Sequence, residues 1–315
     1  MANKIKKIIK WIRTKGLLWT LKKVSTHIKN KMRKFYRKLH LEFLRIFKSK
    51  NGLVIKKILN YKMYLDINDS GLSRELLFKG IREELQTEIW GKMIKPGMNV
   101  LECGANLGYY ALMEASIIGN KGRVYAVEPI PKNFKILEKN IKLNNYSHII
   151  KAYNLAISDQ EGTSKIAVTK KSNFATMLLE ESVISKWMSR KLKQQTKKII
   201  KIKTVRMDNF LKDKHDVDLI RMDIEGYEIK VIKGLINTIK KSKKPIKLFI
   251  ELHPLVFKDK KIISKFVKDL LKLNLKPLYL VSTDGTKLLN FDRNNLIKTI
   301  CKENAPGIFL EYKIQ

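Results

Sequence analysis

The sequence predicts an α/β fold with a mostly parallel, seven-stranded sheet that carries helices on both faces. In residues 100–110, a short apolar run breaks into a glycine-containing loop and then a helical pattern. Residues 123–129 repeat the strand pattern at the distance that a βαβ unit requires. Residues 217–223 have the apolar composition of a buried central strand. Strands that alternate with helical segments in this way are typical of parallel sheets.

The remaining elements follow in order along the chain. Short β-rich runs in residues 53–67 predict a hairpin, and the periodic segment 75–93 predicts one or two helices. Helices are expected at 110–118, 131–144, 207–211 and 260–273, strands at 149–157, 246–252, 277–281 and 308–312, and an edge strand at 199–205. Residues 170–198 are irregular and predict an insertion beside the strand ends, which serves acceptor recognition or is a mobile loop.

The loop after the first strand has the features of a ligand site. Gly104 and Gly108 allow backbone N–H groups to approach a ligand closely, and the following helix directs its positive end there. The loop departs from the dinucleotide pattern Gly-x-Gly-x-x-Gly, because Glu102 stands at the first glycine's position. Glu102 is able to accept a hydrogen bond from an ammonium group. The loop therefore favours a ligand with an amino-acid head over a pyrophosphate.

The second strand ends in Glu128, about 20 residues beyond the glycines, where such folds bind ribose hydroxyls. Together with the first loop, this carboxylate predicts S-adenosylmethionine as the ligand. Asp159 follows the third predicted strand, where it either meets the adenine amino group or is an ordinary turn former. The predicted cofactor-binding residues are Glu102, Gly104, Asn106, Gly108, Tyr109, Glu128, Pro129 and Asp159.

Three ordered motifs carry a family resemblance. They are Glu102-x-Gly104-Ala105-Asn106-x-Gly108, Glu128-Pro129-x-Pro131 and Asp223-Ile224-Glu225-Gly226-Tyr227-Glu228. The chain resembles the FkbM-type methyltransferases over roughly residues 82–254, with Glu102 where that family often has Asp. The resemblance implies a Rossmann-like class I methyltransferase fold, S-adenosylmethionine as cofactor, and an acceptor hydroxyl on a sugar, a glycan or a small metabolite. It also implies that the helix before the first strand lies over the cofactor.

Methyl transfer requires alignment of the acceptor and, for a hydroxyl acceptor, removal of a proton. The predicted catalytic residues are Asp223, Glu225 and His253, of which His253 is the most base-like because its unperturbed pKa lies near neutrality. The Asn/Asp-Pro-Pro-Tyr/Phe loop of amino-group methyltransferases is absent after the central strand, which favours O-methylation. As alternatives, Glu225 caps a helix and His253 is a hydrogen-bonded core residue.

A divalent cation is a further alternative for the same group of side chains. Asp223, Glu225, Glu251 and His253 are able to bind a cation that lowers the pKa of the acceptor. We assign no metal ligands from the sequence.

Charge is the most unusual property of the composition. The 315 residues include 66 Lys and Arg against 29 Asp and Glu, a formal net charge of +37. This excess indicates a polyanionic partner, either nucleic acid or an anionic membrane surface, or else a coding bias spread over solvated faces. In residues 1–50, where Glu42 is the only acid, apolar residues recur at helical spacing. We expect an amphipathic helical extension that binds a membrane surface or nucleic acid, or that packs on the domain.

These observations predict three regions and a compartment. Residues 1–50 form the basic extension, residues 51–95 the hairpin and helices, and residues 96–315 the methyltransferase domain. The two cysteines, Cys103 and Cys301, support no disulfide framework, and no run approaches the ~18 apolar residues of a spanning helix. We therefore expect a cytoplasmic protein, with a peripheral position at the inner membrane face as one alternative for the basic extension.

Two other functions stay open at this point. The net charge of +37 would suit a nucleic-acid (RNA 2′-O) methyltransferase, although the sequence contains no recognisable RNA-binding module. A non-catalytic polyanion- or membrane-binding protein on a degenerate Rossmann-like fold is the third candidate. The intact Glu102, Gly104, Gly108 and Glu128 argue against loss of cofactor binding.

Overall fold

The computed structural model describes residues 14–15, 17–49, 51–173, 175–177, 183–292 and 294–313. The chain divides into two compact units, Met1–Val54 and Ile55–Gln315. The part of the predicted basic extension that precedes residue 14 lies outside the described residues, as does Phe174 in the predicted insertion.

The first unit contains the helix α1 (Leu17–Phe43), followed by the π-helical turn Leu44–Lys48. Helix α1 has no acidic residue in its first turn and carries eight lysines and arginines against the single acid Glu42. Within the described part of the chain, no helix is both long enough and apolar enough to cross a membrane.

The strands of the structure are numbered in chain order. They are β1 (Leu53–Ile58), β2 (Tyr61–Asp66), β3 (Asn99–Cys103), β4 (Arg123–Val127), β5 (Ile150–Tyr153), β6 (Ala156–Ser158), β7 (Gly162–Thr169), β8 (Ala175–Met177), β9 (Thr196–Arg206), β10 (Leu219–Met222), β11 (Ile246–Glu251), β12 (Leu275–Val281) and β13 (Gly307–Tyr312).

The second unit contains the remaining α-helices. They are α2 (Leu72–Lys79), α3 (Glu84–Met93), α4 (Tyr109–Ile118), α5 (Pro131–Leu143), α6 (Lys186–Gln195), α7 (Met207–Lys212), α8 (Glu228–Lys241), α9 (Lys261–Lys272) and α10 (Leu296–Lys302). Short 3-10 turns lie at Gly119–Lys121 and Pro254–Val256. Helix α5 begins at a proline, whose fixed φ suits the first helical position.

The predicted seven-stranded, mostly parallel sheet is confirmed. Its strand order is β12-β13-β11-β10-β3-β4-β5. The pairs β3–β4, β4–β5, β3–β10 and β10–β11 are parallel, while β13 runs antiparallel to both of its neighbours. The chain progresses from β3 through β4 to β5 in one direction and places β10 on the other side of β3. Ligands bind at such a switch point, outside the carboxyl ends of the strands.

Burial explains why these segments form the centre of the sheet. All four residues of β10 are buried, as are five of the six residues of β11, because helices cover both faces. Helix α4 is buried at eight of its ten residues, in keeping with its almost entirely apolar sequence. Charged side chains within these elements must therefore be paired with partners inside the protein.

A second sheet differs from the sequence-based expectation. Residues 149–157 were expected to form one strand, but the structure divides them between β5 in the central sheet and β6, which belongs to a separate four-stranded sheet of order β6-β9-β7-β8. Strand β9, expected at the edge of the main sheet, pairs with β6 and β7 instead. Part of the expected irregular insertion is thus strand β8 and helix α6.

Candidate active site

A cavity lies at the carboxyl ends of β3, β4 and β10, at the switch point of the sheet. It encloses about 880 Å³ of non-protein space, part of which is open to solvent. Eight of the predicted site residues line it, namely Glu102, Gly104, Asn106, Tyr109, Glu128, Pro129, Asp223 and Glu225.

The glycine loop needs both of its glycines, for different reasons. Gly104 has φ +86°, and a Cβ there would stand 2.3 Å from the carbonyl oxygen of Asp223. Gly104 therefore lets the loops after β3 and β10 approach each other. Gly108 has φ +97° and precedes α4, and its Cβ would meet Leu137 at 2.8 Å. Gly108 is not among the cavity-lining residues, so its contribution is to helix packing.

Glu128 lies at the end of β4 and is 4% exposed. One carboxylate oxygen accepts the backbone N–H of Asn106 at 2.8 Å, and the other accepts the backbone N–H of Ile130 at 2.8 Å and the amide of Asn133 at 3.5 Å. All three donors are neutral. Burial raises the pKa of Glu128 to about 7, against the effect of these hydrogen bonds.

Glu102 is held by a buried ion pair. Glu102 and Arg221 occupy facing positions on β3 and β10, and Arg221 Nη1 donates to Glu102 Oε1 at 2.8 Å. Arg221 is 1% exposed, and its guanidinium carbon lies 3.6 Å from the centre of the Tyr110 ring. The carboxyl of Glu114 accepts from Trp90 Nε1 at 2.9 Å. Burial raises the pKa of Glu102, although the charge of Arg221 opposes this shift, and burial raises the pKa of Glu114 to about 7.

Asp223 lies beyond the end of β10 and is surrounded by positive charge. Arg82 Nη2 lies 3.3 Å from Asp223 Oδ2 and also pairs with Glu83 at 2.5 Å. Arg221 Nη2 lies 3.8 Å from the same Asp223 oxygen. Burial raises the pKa of Asp223, but the charges of Arg82 and Arg221 outweigh it and hold that pKa below its usual value. Asp223 is therefore ionised at neutral pH.

Glu225 and His253 form a second charged group. Glu225 has φ +53°, a left-handed backbone conformation that is uncommon outside glycine and is often found at functional sites. Burial raises the pKa of Glu225 to about 7, although the charge of His253 opposes this shift. His253 Nε2 lies 3.5 Å from Glu225 Oε2, and its Nδ1 lies 2.8 Å from Glu228 Oε1.

His253 differs from the sequence-based expectation in two ways. It is buried and is not among the residues that line the cavity. Burial lowers its pKa, but Glu228 and Glu225 raise it well above the usual histidine value. The expectation of a near-neutral imidazole assumed an unperturbed pKa. In the structure His253 is protonated at neutral pH, and the cavity-lining Glu225 is the better candidate for a base.

Asp223, Glu251 and His253 each offer one ligand atom, and these atoms lie within 4.8 Å of one another. Such a group is able to bind a divalent cation. However, the guanidinium groups of Arg82 and Arg221 already place positive charge beside Asp223.

A family model described as the methyltransferase FkbM domain matches residues 102–273, which is more than half of the chain. The chain belongs to the FkbM methyltransferase family. The resemblance predicted from the three motifs is thereby confirmed, as is the Rossmann-like class I fold.

Curated relatives match over a shorter segment. The chain is 35% identical over 78 residues to a protein-L-isoaspartate O-methyltransferase of Methanothrix thermoacetophila, which covers 24% of this chain and 37% of the relative. It is 37% identical over 71 residues to protein-L-isoaspartate O-methyltransferase 1 of Arabidopsis thaliana, covering 22% of this chain and 31% of the relative. The chain thus spans about a third of the length of these relatives.

Solved structures are also similar. A methyltransferase FkbM from Methylobacillus flagellatus superposes with a TM-score of 0.42 at 15% identity, over 71% of this chain and 50% of that chain. An S-adenosylmethionine-dependent O-methyltransferase from Thermotoga maritima gives a TM-score of 0.41 at 14% identity, over 83% of this chain and 78% of that chain.

The cavity residues of this FkbM family member fit S-adenosylmethionine. Two buried acceptors, Asn106 Oδ1 and Asn173 Oδ1, belong to cavity-lining residues and have no hydrogen-bond donor among the described residues. S-adenosylmethionine presents N–H and O–H donors at its amino group, its ribose and its adenine. A ligand with such donors satisfies acceptors that would otherwise stay buried without a partner.

Asp159, like Gly108, is a predicted cofactor residue that does not line the cavity. It follows β6 in the second sheet, where its backbone oxygen accepts from Arg206 at 2.8 Å and its carboxylate accepts from the Ser158 hydroxyl at 3.1 Å. The expected third strand is divided, and β6 brings Ala156 and Ile157 to the cavity but not Asp159. This position fits the turn-forming alternative.

Sequence reasoning missed several charged and polar residues of the site. They are Arg82, Glu83, Glu114 and Arg221. Arg221 had a usable signal, because a charged residue inside an apolar central strand requires a buried partner. Ser172 and Asn173 belong to the segment 170–198, which was expected beside the strand ends, and both line the cavity. The backbone oxygen of Ser172 accepts from the side-chain amides of Asn106 and Asn133.

Proposed function

We propose that this FkbM family member is an S-adenosylmethionine-dependent O-methyltransferase that methylates a hydroxyl on a sugar, a glycan or a small metabolite. One observation carries the proposal. A single cavity at the switch point of the sheet is lined by the glycine loop and by two carboxylates, Glu128 and Glu225. Glu128 accepts hydrogen bonds from neutral donors, and Glu225 has a pKa of about 7. The same cavity thus offers residues that would bind the methyl donor and a residue that would accept a proton.

The cofactor is assigned to the β3–β4 side of the cavity. Glu128 would accept hydrogen bonds from ribose hydroxyls, Asn106 and Asn173 would accept from further donors through their buried amide oxygens, and Glu102 would lie towards the amino-acid end. Gly104, Tyr109 and Pro129 line the same space. When bound, S-adenosylmethionine supplies an electrophilic methyl group on a positively charged sulfur.

Asp223 acts as a fixed charge in this proposal. Its ion pairs with Arg82 and Arg221 hold it ionised and keep its carboxylate in one position. A preorganised carboxylate beside the cavity orients an acceptor hydroxyl through a hydrogen bond. Asp223 therefore positions the acceptor and takes no proton.

Glu225 is the proton acceptor. Its pKa of about 7 makes it half-ionised near neutrality, which suits a general base. The Glu225 carboxylate would accept the proton of the acceptor hydroxyl. His253, held through Nδ1 by Glu228, places a positive charge 3.5 Å from Glu225 and favours its ionised form.

The proposal is tested with full-length protein, methyl-labelled S-adenosylmethionine and a cell extract separated into small-molecule, glycan, lipid, RNA and protein fractions. We expect label in the small-molecule, glycan or glycolipid fraction, in a form that resists mild alkali, because ethers are stable where methyl esters hydrolyse. The Glu225→Gln variant should bind cofactor and transfer little label. Alkali-labile label in protein would contradict the proposal.

A nucleic-acid acceptor is the second candidate, favoured by the formal net charge of +37. Label in RNA that depends on Glu225, together with RNA binding that weakens steeply with salt, would establish it instead. Tight polyanion binding without any binding of S-adenosylmethionine would support the non-catalytic alternative.

A further inference from the structure

Helix α1 carries a continuous stripe of exposed apolar side chains. Ile28, Met32, Phe35, Tyr36 and Leu39 are each between 50% and 62% exposed. Their spacing of three and four residues places them on one side of the helix, within a sector of about 100° at roughly 100° per residue. An exposed apolar stripe of this kind marks an interaction surface.

The opposite side of α1 carries the positive charge. Eight lysines and arginines lie within the helix, at positions 22, 23, 29, 31, 33, 34, 37 and 38, against the one acid Glu42. At the same angular increment, these cations occupy the sector on either side of and opposite to the stripe. The helix is therefore amphipathic, with an apolar stripe bordered by cations along its length.

We propose that α1 lies in the interface of an anionic membrane, with the stripe from Ile28 to Leu39 inserted among the acyl chains and the flanking lysines and arginines at the headgroups. The helix is not apolar enough to cross a bilayer, so it lies on the surface rather than through it. Phe35 and Tyr36, adjacent on the stripe with ring centres 6.3 Å apart, are residue types that favour the interface.

Charge complementarity selects this partner over two others. A nucleic acid would neutralise the cations but leave the apolar stripe in water. A second copy of α1 would cover the stripe but bring two strongly positive helices together. An anionic membrane satisfies both sides of the helix, because apolar burial and attraction to acidic lipids act together. This inference does not depend on the proposed methyl transfer.

The test is sedimentation of the full-length protein with vesicles of phosphatidylcholine containing about 30% phosphatidylglycerol, a composition that gives an anionic surface. We expect most of the protein to sediment with these vesicles and little to sediment with pure phosphatidylcholine. The variant Ile28→Ser/Leu39→Ser should bind at least about tenfold more weakly.

A matched control separates the stripe from apolar exposure in general. Ile199 and Leu288 are 55% and 54% exposed, close to the 51% and 50% of Ile28 and Leu39. Ile199→Ser/Leu288→Ser should sediment like the unmodified protein. Equal loss in both double variants, or equal binding to neutral vesicles, would overturn the proposal. So would a stripe-dependent dimer in solution or stripe-independent binding to RNA in place of vesicle binding.

Discussion

Two carboxylate-bearing regions on opposite sides of the cavity are built differently. The Glu128 region, at the ends of β3 and β4, holds its carboxylate with neutral donors, namely two backbone N–H groups and an asparagine. The Asp223 region, at the ends of β10 and β11, surrounds its carboxylates with Arg82, Arg221 and His253. In the Glu128 region no positive charge among the described residues compensates the carboxylate. In the Asp223 region the ion pairs hold the carboxylates in place.

We infer from this difference that the Glu128 region binds the cofactor and that the Asp223 region positions the acceptor and removes its proton. A carboxylate with neutral donors gains from any further donor, such as a ribose hydroxyl, so the Glu128 region favours a ligand. Carboxylates within an ion-pair network hold their positions without a ligand. Of the two carboxylates on the Asp223 side that line the cavity, Asp223 is held ionised and Glu225 titrates near neutrality.

The Glu225→Gln variant tests most sharply whether cofactor binding and proton removal belong to different regions of the cavity. If Glu225 is the base, this variant should lower kcat by about 10²- to 10⁴-fold, because the amide does not accept the hydroxyl proton. Its affinity for S-adenosylmethionine should change by less than about threefold, since the cofactor is assigned to the other region. Glu138→Gln on the exposed face of α5 is the control. A loss of cofactor affinity in Glu225→Gln as large as its loss in kcat would show that the two roles are not separate.

Arg221 tests whether the Asp223 region is a structural network. Arg221→Met should lower the free energy of unfolding by about 3–5 kcal/mol, because the buried Glu102 loses its charged partner. Adding Glu102→Gln removes the uncompensated charge and should restore part of that stability. Denaturant unfolding of the single and double variants measures both effects. If the loss of stability in the double variant equals the sum of the losses in the two single variants, Arg221 and Glu102 do not stabilise each other.

The pH dependence of kcat tests whether Glu225 is the group that takes the proton. A base with a pKa of about 7 is active when ionised, so kcat should fall about tenfold per pH unit below 7 and reach a plateau above it. Rate measurements from pH 5.5 to 8.5 under saturating substrates are sufficient. A profile that is flat across this range would show that another group takes the proton.

Chelation should have the smallest effect. The Asp223 region already contains two guanidinium groups beside the candidate cation ligands, so treatment with EDTA should change kcat by less than about twofold. Activity measured before and after dialysis against EDTA tests this. A large loss that Mg²⁺ restores would instead make Asp223, Glu251 and His253 metal ligands.

The elements nearest the glycine loop were predictable because each had its own local signal. The apolar run of β3, the glycines at 104 and 108 and the acidic end of β4 specify a βαβ unit without reference to the rest of the chain. Those residues accordingly lie together at one cavity, with Gly108 in a packing position beside it.

The second sheet and the charged network were not predictable in the same way. The long-range pairing of β9 with β6 and β7 removes Asp159 from the expected strand end, and such pairings have no local signature. The pKa of His253 depends on Glu225 and Glu228, whose proximity the sequence does not reveal. The facing positions of Glu102 and Arg221 required the register between β3 and β10.

Calorimetric titration with S-adenosylmethionine at pH 8, where Glu128 is ionised, tests whether Glu128 binds the cofactor. We expect one site per chain and a loss of about 10- to 100-fold in affinity in Glu128→Gln, the range expected for losing hydrogen bonds to a charged acceptor. Glu138→Gln should bind normally, and thermal unfolding should show that Glu128→Gln is folded. Absence of binding by the unmodified protein, or unchanged affinity in a folded Glu128→Gln, would contradict the assignment of this cavity.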